Sequence, residues 1–210
     1  MILIVSASNS RVTNEKSISS QVSKMLKSKI SNDNVEEVRL KDYNIHPCQL
    51  CGSCVDYSRC PFDEAYNKLH KKINQADVII WIVPHYSPFP SKLMCLFEKM
   101  NEIAYSKWLN NPNFKSPYWR KRVSVIAHGA MVESEEVLEY YYNALVIPIS
   151  RTLSGLGFNM IKLGNTHEYG AVFGLEKETD LAMNVDNLFP EIQFDIKRIE
   201  SRLNAIIENI

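Results

Sequence analysis

The chain has 210 residues, and its 24 Lys and Arg balance its 24 Asp and Glu, so its formal net charge is zero. Nucleic acids and anionic membrane surfaces bind proteins with a surplus of cations, so this balance argues against both kinds of partner. With 45% hydrophobic and 23% charged residues, the composition is that of an ordinary soluble globular chain and excludes disorder as the dominant state. The longest apolar run, Val78 to Val83, is far shorter than the roughly 20 residues of a transmembrane helix. The first residues lack the basic flank and long apolar stretch of a secretory signal, so we expect a cytoplasmic protein.

Apolar runs that are typical of buried strands alternate with amphipathic segments along the chain. The predicted strands are Ile2 to Val5, Val35 to Leu40, Val78 to Val83, Val123 to Ala127 and Phe158 to Leu163. The predicted helices are Ser17 to Lys29, Asp63 to Gln75, Ser91 to Trp108, Glu133 to Leu156, which Pro148 kinks or splits, and Leu188 to Ile207. This alternation predicts an α/β fold with a five-stranded, doubly wound parallel sheet and helices on both faces. We expect one domain over residues 1–210, with a Cys-rich insertion at about 43–61 and a C-terminal extension from about residue 165, where no periodic pattern is evident up to residue 187.

Hydroxyl and amide side chains follow the first predicted strand, just before a predicted helix. Ligands of doubly wound sheets bind at the carboxyl ends of the strands, and a helix N-terminus attracts a phosphate. The candidate phosphate-binding residues are Ser6, Ser8, Ser10, Arg11, Thr13 and Asn14. Alternatively, Thr13 or Asn14 caps the helix and the other side chains face water. The loop has no glycine, which excludes the dinucleotide fingerprint and the P-loop, so a phosphate here would be held largely by hydroxyls.

This loop resembles the phosphate loop of the flavodoxin-like NAD(P)H-dependent FMN reductases. The segment after the third predicted strand, Pro84-His85-Tyr86-Ser87 and the helix that follows, is similar to the segment of that family that lies against the flavin ring. Its prolines stiffen it, and Tyr86 offers an aromatic surface with a hydroxyl group. The third flavin loop of the family corresponds to His128, Gly129 and Ala130, where Gly129 would let the backbone approach the ring. His128 is either a donor to a flavin carbonyl or a packed residue at the end of a strand.

Four of the five cysteines, Cys48, Cys51, Cys54 and Cys60, lie within thirteen residues after the second predicted strand. Two-residue gaps bring thiolates close enough for one metal centre, and the run is similar to the ligation pattern of ferredoxins, although the last gap is five residues instead of three. It resembles the compact motif of the iron–sulfur flavoprotein branch of the same superfamily, which implies a [4Fe–4S] cluster near the flavin edge. A four-cysteine zinc site and a cysteine loop without metal are the alternatives. Disulfides are not expected in a cytoplasmic protein.

The resemblance implies an FMN-binding oxidoreductase that passes electrons from NAD(P)H through FMN to a quinone, a free flavin or another small-molecule acceptor. It also implies a homodimer or homotetramer. No side-chain acid or nucleophile is required, so no catalytic residue is predicted. One alternative is an iron–sulfur flavoprotein that carries single electrons from a ferredoxin-like donor. The other is a non-enzymatic scaffold that binds zinc through the four cysteines.

Overall fold

The computed structural model describes residues 1–9, 17–30, 34–57, 59–164, 166–177, 181–182, 191–192 and 195–210. At positions 56–57, 181–182 and 191–192 only the backbone is described. Within these ranges no helix is long and apolar enough to cross a membrane.

Six strands form one parallel sheet: β1 (Ile2–Ser6), β2 (Val35–Arg39), β3 (Val78–Pro84), β4 (Arg122–Val132), β5 (Asn159–Met160) and β6 (Gly170–Leu175). Their order is β2-β1-β3-β4-β5, and β6 also pairs with β4. This order confirms the predicted flavodoxin-like doubly wound sheet. A small antiparallel pair, β7 (Leu181–Ala182) with β8 (Glu191–Ile192), lies apart from it.

Two segments share the fifth position of the sheet. The strand predicted over Phe158 to Leu163 is reduced to β5, which pairs with the first two residues of β4. β6, which the sequence did not predict, then pairs with β4 from Val125 onward. Its two glycines are unusual in a strand, but a Cβ at Gly170 or Gly174 would collide with a carbonyl oxygen of β4. The close approach of two backbones therefore explains why this strand has no recognisable pattern.

The helices are α1 (Ile18–Lys29), α2 (Cys54–Tyr57), α3 (Glu64–Gln75), α4 (Ser91–Asn110), α5 (Glu135–Tyr141), α6 (Ile147–Gly155) and α7 (Glu200–Ile207). Short 3-10 helices cover Leu40–Asp42 and Ile196–Ile199. A π-helical segment, Tyr142–Val146, splits the helix predicted over Glu133 to Leu156 just before Pro148, which lacks an amide donor. The prediction of a helix from residue 188 was wrong at its start: Glu191–Ile192 is a strand, and Asp195 caps the 3-10 turn that leads into α7.

The helices cover both faces of the sheet. On one face, α1 and α7 pack on side chains such as Ile4, Ile80 and Phe173. On the other face, α3, α4, α5 and α6 pack on Leu3, Val125 and their neighbours. Side chains alternate between the two faces along each strand, so the sheet is buried on both sides and its carboxyl edge is the free place for a ligand.

Candidate functional site

The loops after β1 and β3 meet at the carboxyl edge of the sheet. The hydroxyl oxygen of Tyr86 lies 3.2 Å from Oγ of Ser8, and the backbone N–H of Asn9 donates to it over 3.1 Å. Both Ser6 and Ser8 are buried. β1 and β3 are neighbours at the point where the strand order reverses, which is where flavodoxin-like sheets bind their ligands. The structure therefore brings two of the predicted loops together at the switch point.

The loop after β3 is tied to β4 and to itself. Pro84 is buried at the end of β3, and the N–H of His85 donates to the carbonyl of His128 over 2.6 Å. The N–H of Tyr86 donates to the carbonyl of Pro88 over 2.8 Å. Tyr86 is 41% exposed and Ser87 is exposed as well. A fixed loop thus presents an aromatic ring at the surface of this edge.

His128 contributes its backbone to this edge and its side chain to the core. Its Nε2 lies 2.8 Å from Oγ of Ser19 in the first turn of α1, and its ring stacks on Phe173 with a centroid distance of 5.3 Å. Burial lowers the pKa of His128 to about 3, so the ring is neutral at pH 7. His128 was considered either as a donor to a flavin carbonyl or as a packed residue at the end of a strand, and its surroundings support the second role.

The space beside Gly129 is occupied by another side chain. A Cβ at this position would fall on the ring of Tyr141, whose hydroxyl accepts a hydrogen bond from the N–H of Met131 over 3.0 Å. Ala130, the next residue, is exposed. The packing of Tyr141 is thus sufficient to explain why residue 129 is a glycine. The predicted approach of the Gly129 backbone to a flavin ring is a separate question.

One exposed aromatic residue at this edge was not predicted as a site residue. The hydroxyl of Tyr140 lies 2.9 Å from Nε2 of His85, and their rings meet edge to face at 5.3 Å. Tyr140 is 45% exposed, while partial burial lowers the pKa of His85. The run Tyr140-Tyr141-Tyr142 is the sequence signal that could have pointed to it.

The other predicted phosphate residues, Ser10, Arg11, Thr13 and Asn14, lie outside the described residues.

The four clustered cysteines line one cavity of about 160 Å³. The cavity lies between the Cys-rich loop and the middle of α4, from which Lys99, Glu102 and Ile103 contribute. None of the cysteines is in a disulfide: Cys51 is exposed, and Cys48, Cys54, Cys60 and Cys95 are half-buried. Hydrogen bonds from Ser53 lower the pKa of the Cys51 thiol, whereas burial raises the pKa of Cys95.

A buried ion pair forms part of this cavity. Nζ of Lys99 donates to Oδ2 of Asp63 over 2.8 Å, and both side chains are almost fully buried. Asp63 also caps α3 by accepting from the N–H of Tyr66, and it accepts from the N–H of His46 at the start of the Cys-rich loop. The ion pair therefore links the loop, α3 and α4.

The donor set of the cavity fits a metal centre with sulfur ligands. Four cysteines line one space, and soft thiolates are the ligands that iron–sulfur clusters and zinc prefer. No group of three or more His, Cys, Asp or Glu side chains within the described ranges is already arranged to hold a metal ion. The fit thus rests on the donor set, and not on a preformed geometry.

The donor set at the carboxyl edge fits a flavin mononucleotide. The hydroxyl groups of Ser6 and Ser8 are neutral donors of the kind that bind a phosphate without glycines. Tyr86 and Tyr140 supply exposed aromatic surface for a planar ring. The fold therefore defines a flavodoxin-like α/β protein whose switch point carries the residues predicted to bind a ligand.

Comparison with known families gives the class a name. Residues 1–146 match the NADPH-dependent FMN reductase family, so the chain belongs to that family. The predicted membership of this family is therefore confirmed.

Individual relatives are more distant. An iron–sulfur flavoprotein of Methanosarcina thermophila is 31% identical over 65 residues, which are 30% of this chain and 34% of that protein. The chain thus matches about a third of the length of that curated relative. An NAD(P)H:quinone oxidoreductase from Methanothermobacter marburgensis has a TM-score of 0.54 at 18% identity, covering 82% of this chain and 85% of the other. An FMN-dependent NADH-azoreductase from Bacillus anthracis, solved with FMN, has a TM-score of 0.53 at 15% identity, covering 99% and 96%. At these identities the two structures support the fold.

Proposed function

We propose that this protein binds FMN and passes electrons from NAD(P)H through it to a quinone, a free flavin or another small acceptor. The observation that carries the proposal is the contact of Tyr86 with Ser8 and Asn9, which joins two predicted flavin loops at the switch point. Membership of the FMN reductase family supports it independently. A cytoplasmic location and a homodimer or homotetramer complete the proposal.

The residues of the edge bind and orient, and FMN when bound supplies the hydride and electron chemistry. Ser6, Ser8, Ser10, Arg11, Thr13 and Asn14 would hold the phosphate. Tyr86 would lie against the ring, and the backbone from His128 to Ala130 would line its far side. The pKa of His85 is lowered by partial burial, and its ring holds Tyr140 at the edge. None of these groups needs to exchange a proton, so we propose no catalytic side chain.

The phosphate assignment is tested with two ligands that differ only in the phosphate. Replacing Ser8 and Thr13 with Ala should weaken FMN binding about tenfold or more and change riboflavin binding much less, because charge-assisted hydrogen bonds to the phosphate are lost. Quenching of flavin fluorescence measures both affinities. Ser28→Ala is the control, since its hydroxyl caps a carbonyl at the opposite end of α1. Equal weakening of FMN and riboflavin would contradict the assignment.

A second candidate function is favoured by one observation, the single cavity that all four clustered cysteines line. We propose that Cys48, Cys51, Cys54 and Cys60 hold a [4Fe–4S] cluster and that the protein carries electrons from a ferredoxin-like donor. The name of the Methanosarcina relative supports this candidate, although the match covers only part of either chain.

Metal analysis of the purified protein separates the candidates. Iron and acid-labile sulfide in equal amounts, at about four of each per chain, would support the cluster. Zinc without sulfide would replace it with a structural zinc site. If the protein binds FMN and contains no metal, the FMN reductase is the only one of these candidates that remains.

A further inference from the structure

Lys99 is a buried cation that the flavin chemistry leaves without a role. It lies in the middle of α4, and its side chain is only 6% exposed. A lysine is almost never buried to this extent unless it is paired. Its partner is Asp63, whose side chain is 1% exposed.

The ammonium group has a second neighbour, the thiol of Cys60. Nζ of Lys99 lies 3.7 Å from Sγ of Cys60, within hydrogen-bonding distance for sulfur. The backbone of Cys60 is clamped separately, because Asn67 accepts from its N–H over 3.1 Å and donates to its carbonyl over 2.7 Å. Cys60 is thus fixed through both its backbone and its sulfur.

A third group near the same ammonium has an unused donor. The ring of Tyr66 lies 5.8 Å from Nζ of Lys99. Tyr66 is fully buried, and its hydroxyl is one of the few buried side-chain groups in the described ranges with no hydrogen-bond partner.

We propose that Lys99 is a positioning residue for the cysteine site: held by Asp63, it fixes Cys60 and places a positive charge beside the sulfur ligands. This inference rests on the iron–sulfur candidate above. A cluster with four thiolates carries net negative charge, and a nearby ammonium stabilises the reduced form, which is the more negative one. N–H donors to cluster sulfurs act in the same direction. Lys99 therefore makes the cluster easier to reduce.

The test separates the effect of the Lys99 charge from the effect of the ion pair as a whole. In the double variant Asp63→Asn/Lys99→Met both members of the pair become neutral, which avoids the large cost of one isolated buried charge. Lys99→Gln is the second variant, in case the first does not fold, because its amide can still donate to Asp63. Lys107→Met is the matched control, since Lys107 lies on the same helix over the ring of Phe114. Each full-length protein is reconstituted anaerobically with ferrous iron and sulfide.

The readouts are iron and sulfide per chain, and the midpoint potential of the cluster in a dithionite titration. We expect Lys99→Gln, which removes the ammonium and keeps the carboxylate of Asp63, to show about a tenfold lower ratio of reduced to oxidised cluster at a fixed applied potential, which is about 59 mV for one electron. The double variant removes a pair of zero net charge, so its ratio should fall by less. The control should keep the wild-type potential. Unchanged iron content and potential in both Lys99 variants would overturn the role of Lys99 alone. Wild-type protein that takes up neither iron nor sulfide would overturn the cluster together with it, and FMN binding in the same samples would show whether the reductase proposal stands.

Discussion

The buried contact between Ser19 and His128 joins the first turn of α1 to β4, immediately after the predicted phosphate loop. The two side chains are 1% and 5% exposed, and their hydrogen bond is 2.8 Å long. Ser19→Ala would leave a buried ring nitrogen without this partner, which costs about 1–3 kcal/mol of the free energy of unfolding. The measurement is urea unfolding at pH 7.5 of FMN-free protein, because a ligand bound to the folded state would add its own stabilisation.

The same histidine makes stability depend on pH in a direction that can be worked out. The pKa of His128 falls from about 6.5 in the unfolded chain to about 3 in the folded one, and that of His70 falls to about 4, both through burial. The unfolded chain therefore binds protons first as the pH drops. Stability that is fully present above about pH 6.5 is lost toward the folded values, by about 2 kcal/mol for each histidine at pH 5.

Two variants separate the contact from the titration. Ser19→Ala removes the hydrogen bond and keeps the histidine, so its loss of stability between pH 7.5 and pH 5 should match that of the wild type. His128→Gln keeps a polar side chain and removes the titration, so it should lose about 2 kcal/mol less over the same interval. Ser28→Ala, at the exposed end of α1, is the control for a lost hydroxyl. The reasoning is refuted if His128→Gln shows the same pH dependence as the wild type, or if Ser19→Ala is as stable as Ser28→Ala.

Three further changes test other parts of the structure. Gly129→Ala should cost about 1–3 kcal/mol in urea unfolding because its Cβ would fall on Tyr141, whereas Gly155→Ala, whose Cβ meets nothing, should be neutral or stabilising; equal effects would contradict this. Glu133→Gln removes the charge that faces Arg198 and Arg202, and because those arginines are partly exposed it should cost about 1–3 kcal/mol, against no measurable loss for Glu208→Gln. Lys92→Met removes the donor to the carbonyls of Lys41 and Tyr43, so amide hydrogen exchange should accelerate at residues 43–53, whereas Lys68→Met should leave it unchanged. Equal exchange rates at these residues in the two variants would contradict the role of Lys92.

The architecture was predictable because the apolar runs of three central segments leave little choice. β1, β3 and most of β4 are buried on both faces, which requires helices on both sides and a parallel sheet. β6 was missed because its two glycines are required by the close approach of the β4 backbone, and a single sequence carries no pattern that reveals such an approach. The start of α7 was missed because the apolar spacing of the preceding residues also fits a helix, and only Asp195 marks the cap.

The candidate site was predictable in its loops and not in its contacts. The order of strands places Ser8 and Tyr86 at one edge, so their positions follow from topology. The His128 ring points into the core, and Tyr141 packs against Gly129, because of the way the two faces of β4 pack on the helices. That packing could not be read from the sequence. Lys99 gave no signal at all, because an isolated lysine in an amphipathic helix is ordinarily exposed, and only its pairing with Asp63 makes it different.

The two candidate sites share α4 but occupy different parts of it. The helix begins at Ser91, directly after the loop that holds Tyr86, and Lys99 follows eight residues later. At 1.5 Å per residue this separates the cysteine cavity from the start of the helix by about 12 Å. Because α4 runs back from the carboxyl edge of the sheet, the part of α4 that lines the cysteine cavity is about two turns from the end that follows the predicted flavin loop. The free-energy effects of changes at Ser8 and at Cys60 should therefore add, since neither side chain shares a contact with the other.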